Sequence, residues 1–231
     1  MIAENLDRIR HRAVQACARC GRDPAEVTLV VVAKTFGAGV VREVLQAGAA
    51  DIGENYVQEL LGKHEELSDL RVRWHFIGHL QRNKVKQVLP VVDLIHAVES
   101  RDLARELDSR AKALGRKARF LVEVNTTGEQ SKFGLKSDSV AEFVRDLEGL
   151  EHIAIDGLMT IGPFLPDPEG SRPMFRQLRI LRDELRSIGQ PNAPMNFLSM
   201  GMTGDFEVGI EEGATHIRIG TAIFGSRKKP A

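Results

Sequence analysis

Val27-Thr28-Leu29-Val30-Val31-Val32-Ala33-Lys34-Thr35 opens with seven apolar or β-branched residues and is closed abruptly by a lysine. A valine-rich run of this kind reads as a strand buried on both faces, as in a parallel sheet. The lysine at its end is open to two readings. It either snorkels from the strand end into solvent, or it stands at the mouth of an apolar pocket. In the second case lost hydration lowers its pKa, and the neutral amine is suited to forming a Schiff base with an aldehyde.

On either side of this stretch the pattern alternates. A first helix carries Leu6, Ile9, Ala13, Cys17 and Cys20 on one face and breaks at Gly21-Arg22-Asp23-Pro24. After Lys34 the apolar spacing predicts further strands at 50–53, 72–77, 93–98, 118–124, 153–159, 197–199 and 216–219. Helical patterns separate them, among them Ser100 to Leu114, a helix from Ser139 with a capping box to Glu142, and one marked by Phe175, Leu178, Leu181, Leu185 and Ile188. Two long loops are expected, a polar one from Asn125 to Lys136 and a Pro/Gly-rich one from Gly162 to Pro173. Eight βα units close naturally into a single (β/α)8 TIM barrel with an extra N-terminal helix, one α/β domain over residues 1–231. A doubly wound open sheet is the structural alternative.

Composition narrows the function. Thirty-two basic and thirty-two acidic residues leave no net charge, which removes the usual footprint of a nucleic-acid binder. No apolar run is long enough to span a bilayer and the start has no signal-peptide pattern, so a cytoplasmic location is the expectation. The Cys17/Cys20 pair reads as structural, since it closes a helix and lacks further ligands at zinc spacing. Arg82, Lys84 and Lys86 read as a solvated helix face. His75 and His79 share a strand face but have no carboxylate at ligand spacing, which favours packing or pocket lining over a metal pair.

Barrel enzymes place their chemistry at the C-terminal ends of the strands. Here those ends bring Lys34, Glu54-Asn55, His79, Glu99-Ser100, Asn125, Met159-Thr160, Ser199 and Arg218. The last two loops, Ser199-Met200-Gly201-Met202-Thr203-Gly204 and Gly220-Thr221, are rich in the small residues that let backbone N–H groups approach a phosphate. Gly37-Ala38-Gly39 is a poor dinucleotide fingerprint, because Arg42 occupies the third glycine position. A lysine, two phosphate loops and an arginine between them suggest pyridoxal 5′-phosphate.

Residues Ile52 to Glu59, Trp74 to Lys84, Ser131 to Gly134, Gly157 to Met159, Leu198 to Met202 and Ile217 to Gly225 complete an ordered series with Val32 to Thr35. With these segments the sequence resembles the short pyridoxal-phosphate homeostasis proteins (the YggS/PROSC family), which are related in fold to the N-terminal barrel of alanine racemase. The resemblance implies that Lys34 holds the cofactor as a Schiff base. It places Asn55 beside the ring, Ser199, Gly220 and Thr221 on the phosphate, Met159 and Thr203 in the same cofactor-binding set, and Arg218 opposite the pyridine nitrogen. A permanently charged guanidinium there discourages protonation of the ring and leaves it a weaker electron sink.

Tyr56 is the chain's one tyrosine, and little sequence follows the eighth strand from which to build a racemase's second domain. The expectation is therefore a non-catalytic, monomeric cofactor carrier serving vitamin B6 homeostasis, with PLP-dependent apoenzymes as recipients. A small amino-acid racemase on the same barrel and a cofactor-free Schiff-base aldolase are the alternatives. Lys132 is a further candidate for a second cofactor contact.

Overall fold

The computed structural model describes residues 1–127, 133–163 and 165–225. Eight strands form the barrel wall: β1 (Thr28–Val32), β2 (Asp51–Glu54), β3 (Arg73–Phe76), β4 (Leu94–Val98), β5 (Ala118–Asn125), β7 (Ile153–Met159), β8 (Phe197–Ser199) and β9 (His216–Ile219). The two-residue β6 (Leu135–Lys136) pairs in parallel with the end of β5, outside the ring. The order runs β4-β3-β2-β1-β9-β8-β7-β5, and a β4–β5 pairing closes it. All these pairings are parallel, with Val30 opposite both Asp51 and Arg218. The expected barrel is observed, and the open-sheet alternative is not.

Helices α1 (Ile2–Arg19), α2 (Ala38–Gln46), α3 (Val57–Glu66), α4 (Val85–Val88), α5 (Arg101–Ala113), α6 (Val140–Asp146), α7 (Arg172–Ile188), α8 (Phe206–Glu211) and α9 (Thr221–Phe224) surround the strands. The main core lies between the two rings, where Leu6, Phe76, Leu107, Phe120, Phe143, Phe175 and Ile217 are buried. The added α1 lies against α8 and α9. Arg12 forms a two-pronged ion pair with Glu207, Arg22 donates to the carbonyls of Ile210 and Ala214, and Asn5 donates to that of Ile223.

Several local expectations are corrected. Ser139 does not cap α6 through its side chain. A 3-10 turn over Ser137–Ser139 already puts it in helical conformation, and its hydroxyl turns to Asp138. Ser100 does cap α5, accepting from the Leu103 amide. The polar loop after β5 ends in β6, and the Pro/Gly-rich loop holds a 3-10 turn, Pro168–Ser171, begun by the Asp167 side chain. Cys17 is buried, whereas Cys20 is exposed at the helix end with its thiol turned back to Ala16. His75 and His79 part company because β3 ends between them. His75 points into the barrel, while His79 is exposed beside Glu99 and stacked on Phe133. Among the described residues no cluster of three metal-ligating side chains occurs, and no helix is long and apolar enough to cross a membrane.

Candidate functional site

At the C-terminal mouth of the barrel a cavity of about 280 Å³ is walled by Val32, Lys34, Phe36, Asn55, Ile77, Ile161, Met202, Thr203, Arg218, Gly220, Thr221 and Gly225. Three other surface clefts are larger: one lies on α7, one at the N-terminal ends of β1 to β3, and one between Phe36 and α3, and none gathers such a set of groups from the C-terminal strand ends. Six of the eight expected site residues meet here: Lys34, Asn55, Thr203, Arg218, Gly220 and Thr221. Met159 and Ser199 do not reach the wall. Met159 packs inside the barrel with Leu94, Ala97 and Leu121, and Ser199 lies completely buried below Arg218. Lys132 lies outside the described residues.

Each wall residue has a local cause. β1 ends at Val32, and the chain turns at once through Thr35 in the left-handed region (φ 71°), which sets Lys34 on the cavity side of the bend. Asn55 follows β2 directly, and its backbone lies so close to Gly78 that any side chain at 78 would overlap the Asn55 carbonyl. Gly78→Ala is accordingly expected to cost about 1–3 kcal/mol, read as a lowered urea midpoint. An unchanged midpoint would mean that the two loops separate freely. The Met202–Thr203 loop is tied by Asp205, whose carboxylate accepts from the Met202 amide (2.7 Å) and from the Ser171 hydroxyl (3.0 Å).

Arg218 is the cavity's buried charge. Its guanidinium donates to Ser199 Oγ (2.5 Å) and to the Thr160 carbonyl (2.9 Å). Burial lowers it to about 10, against the pull of Glu123 and Asp205, so it stays charged at neutral pH. Glu123, also buried, is raised to about 7 by burial and by Glu99.

Beneath Arg218 a file of polar side chains descends through the barrel interior. Ser199 Oγ meets His96 Nδ1 (2.9 Å), His96 Nε2 meets His75 Nδ1 (2.9 Å), and His75 Nε2 meets Asp51 Oδ1 (3.0 Å). Arg73 closes the lower end with two bonds to Asp51. The proton positions follow from the two ends. A guanidinium can only donate and a carboxylate can only accept. With both imidazoles neutral, the arrangement that satisfies both ends has Ser199 donating to His96, His96 donating from Nε2 to His75, and His75 donating from Nε2 to Asp51. Burial would raise Asp51, but hydrogen bonds from His75 and Arg73 hold it at about 2. Burial pushes His96 well below its usual value, and His216, packed against both other histidines, falls to about 3 for the same reason.

Sequence reading missed His96, Asp51 and the apolar wall members Phe36, Ile77 and Ile161. A buried histidine in an apolar strand such as Leu94–Val98 was the available signal for the first.

The family profile described as alanine racemase, N-terminal domain, matches residues 5–228. A pyridoxal phosphate homeostasis protein of Aquifex aeolicus is 45% identical over 225 residues, covering 97% of this chain and 98% of that protein. PipY of Synechococcus elongatus, solved with PLP bound, is 34% identical with a TM-score of 0.85, over 97% of this chain and all of that one. Alanine racemase of Corynebacterium glutamicum, at 16% identity and TM-score 0.69 over 96% of this chain and 62% of that one, shares the fold. The chain belongs to the alanine racemase N-terminal domain family and, within it, to the pyridoxal phosphate homeostasis proteins.

Proposed function

We propose that the cavity at the barrel mouth binds pyridoxal 5′-phosphate through Lys34, and that the protein holds this cofactor for vitamin B6 homeostasis without catalysing a reaction. The observation that carries the reading is the meeting, in one small cavity, of an amine from the first strand end with Arg218, Gly220 and Thr221 from the last. The wall suits the group. Asn55 Oδ1 is a buried acceptor with no partner among the described residues, and a bound polar molecule would supply its donor. The hydroxyls of Thr203 and Thr221 and the guanidinium of Arg218 suit an anionic, aromatic ligand.

When bound, the cofactor would supply an electrophilic aldehyde, and Lys34 is the residue whose amine would hold it. Every other part is played by the chain. Arg218 presents a fixed positive charge and keeps its proton at neutral pH. Phe36, stacked on Phe224 at 4.4 Å, and Val32, Ile77 and Ile161 supply the apolar part of the cavity wall. Racemisation needs a proton-transfer group on each face of the substrate. Among the described residues of the wall, Lys34 and Arg218 are the ionisable groups, and Tyr56 stands exposed at the start of α3 outside the wall. Retention and release to cofactor-dependent apoenzymes is the role this leaves.

Added pyridoxal phosphate should turn the protein yellow, and borohydride reduction with peptide mapping should place the adduct on Lys34. Lys34→Ala should abolish both signals. An adduct on another lysine, or none, would sink the reading, and racemisation of any amino acid at ordinary enzymatic rates would sink its non-catalytic part.

A further inference from the structure

Immediately behind Lys34 lies a second group of charged side chains that the cavity does not use. Lys63, on α3, is 5% exposed. Its ammonium donates to the Ala33 carbonyl (2.9 Å), Glu54 Oε1 (2.6 Å) and Glu59 Oε2 (3.1 Å). An ammonium has three donors, and here all three are engaged. Glu59 Oε2 in turn accepts from the Thr35 amide at 2.7 Å. Residues 33 and 35, the two neighbours of Lys34, are thus both held, one through its carbonyl and the other through its N–H.

The bend they enclose is strained. Thr35 is one of two non-glycine residues with positive φ among those described, and it is β-branched, the side-chain class least tolerant of that region. Thr35 itself is exposed, so packing of its side chain does not enforce the conformation. The turn is closed by the Phe36 amide donating to the Ala33 carbonyl (3.1 Å), and the Glu59 hydrogen bond to the Thr35 amide is the side-chain interaction that reinforces it. A buried lysine with two carboxylates is also a costly construction; Lys63 has all its donors engaged, while Glu54 Oε2 is buried with no partner among the described residues. The Ala33 carbonyl supplies the third acceptor and joins the cluster to the end of β1.

We propose that Glu59 and Lys63 are positioning residues for the cofactor lysine. They clamp the peptide units on either side of Lys34 and keep Thr35 in its strained turn, so that the Lys34 amine is presented to the cavity before the cofactor arrives. The inference rests on Lys34 being the cofactor-bearing lysine. It assigns no contact with the cofactor to either residue. Glu59 acts through the Thr35 amide, and Lys63 acts through the Ala33 carbonyl and through its hold on Glu59.

Rapid mixing with pyridoxal phosphate, followed by its change in visible absorbance, gives the rate of attachment in wild type, Glu59→Ala, Thr35→Gly and the double variant. Glu59 is partly exposed, so its replacement leaves the Lys63–Glu54 pair buried and intact. Without Glu59 the bend relaxes, and attachment should slow about tenfold. Glycine takes positive φ without steric cost, so Thr35→Gly in the Glu59→Ala background should return the rate to within about twofold of wild type. A merely structural role for Glu59 would lower the urea midpoint without this rescue. Attachment at the wild-type rate in Glu59→Ala, or failure of glycine to restore it, would overturn the clamp. Wild type acquiring no adduct on Lys34 would instead remove the reading on which the clamp stands, and borohydride mapping of the wild type separates the two failures.

Discussion

His96→Leu is expected to lower the stability of the protein by about 2–5 kcal/mol, although leucine fills nearly the same space and is the more apolar residue. His96 is fully buried and joins Ser199 above to His75 below. Its removal leaves the Ser199 hydroxyl without an acceptor and the His75 Nδ1 without a donor. Each is an unsatisfied polar group in the barrel interior, costing about 1–3 kcal/mol. Urea titration checks this, with the midpoint falling while the slope stays that of the wild type. A loss below about 1 kcal/mol would mean that the file is not closed by hydrogen bonds as described.

The second large effect concerns acid. His216 is neutral in the fold, with its pKa lowered from 6.5 to about 3, first by burial and then by His75. The unfolded chain therefore binds one more proton than the fold between those values. The stabilisation from keeping His216 neutral is complete above about 6.5 and is lost as pH falls toward about 3. Glu123 has the opposite sign. Raised to about 7, it favours the fold below its ordinary value of 4.5, and that contribution is lost as pH rises through about 7. The two slopes oppose each other in the wild type, so His216 is isolated by comparison with His216→Phe, which keeps a ring against Phe197. Going from about pH 7 to about pH 4, wild type should lose about 3 kcal/mol more than the variant. Equal losses would show that His216 is already solvated in the fold. Asp51 and Arg218 also act on His216, and at about 2 and about 10 both stay charged over this range.

Apolar periodicity was enough to read the barrel, because each wall strand needs burial on both sides and each helix needs one apolar face. The failures are local and share a cause. Ser139 and Cys20 have the right residue types at the right spacing, but a preceding 3-10 turn and an early helix end changed their surroundings. Strand ends were equally legible, so position alone put Lys34, Asn55 and Arg218 at the barrel mouth, where all three line the cavity. Ser199 also sits at a strand end, yet its side chain faces inward, and Arg218 and His96 consume its hydroxyl. That depends on which of two alternating directions a three-residue strand presents, and so short a run carries no such signal. The clamp behind Lys34 was hidden for another reason. Glu59 and Lys63 have the ordinary spacing of a surface ion pair on a helix, and only tertiary packing shows that the pair faces a strand end.

The polar file inside the barrel also behaves as a blocked proton wire. Each hydrogen bond in it points from Arg218 toward Asp51, so a proton could advance only by leaving the guanidinium and arriving on the carboxylate. The guanidinium holds its proton at neutral pH while Asp51 is kept below the usual carboxylate range by His75 and Arg73, so that transfer is uphill. The interior is thus an insulator with a fixed polarity. Charge at the mouth of the barrel is set by Arg218 itself and does not drain to the opposite face, where the exposed Arg73 covers the buried Asp51.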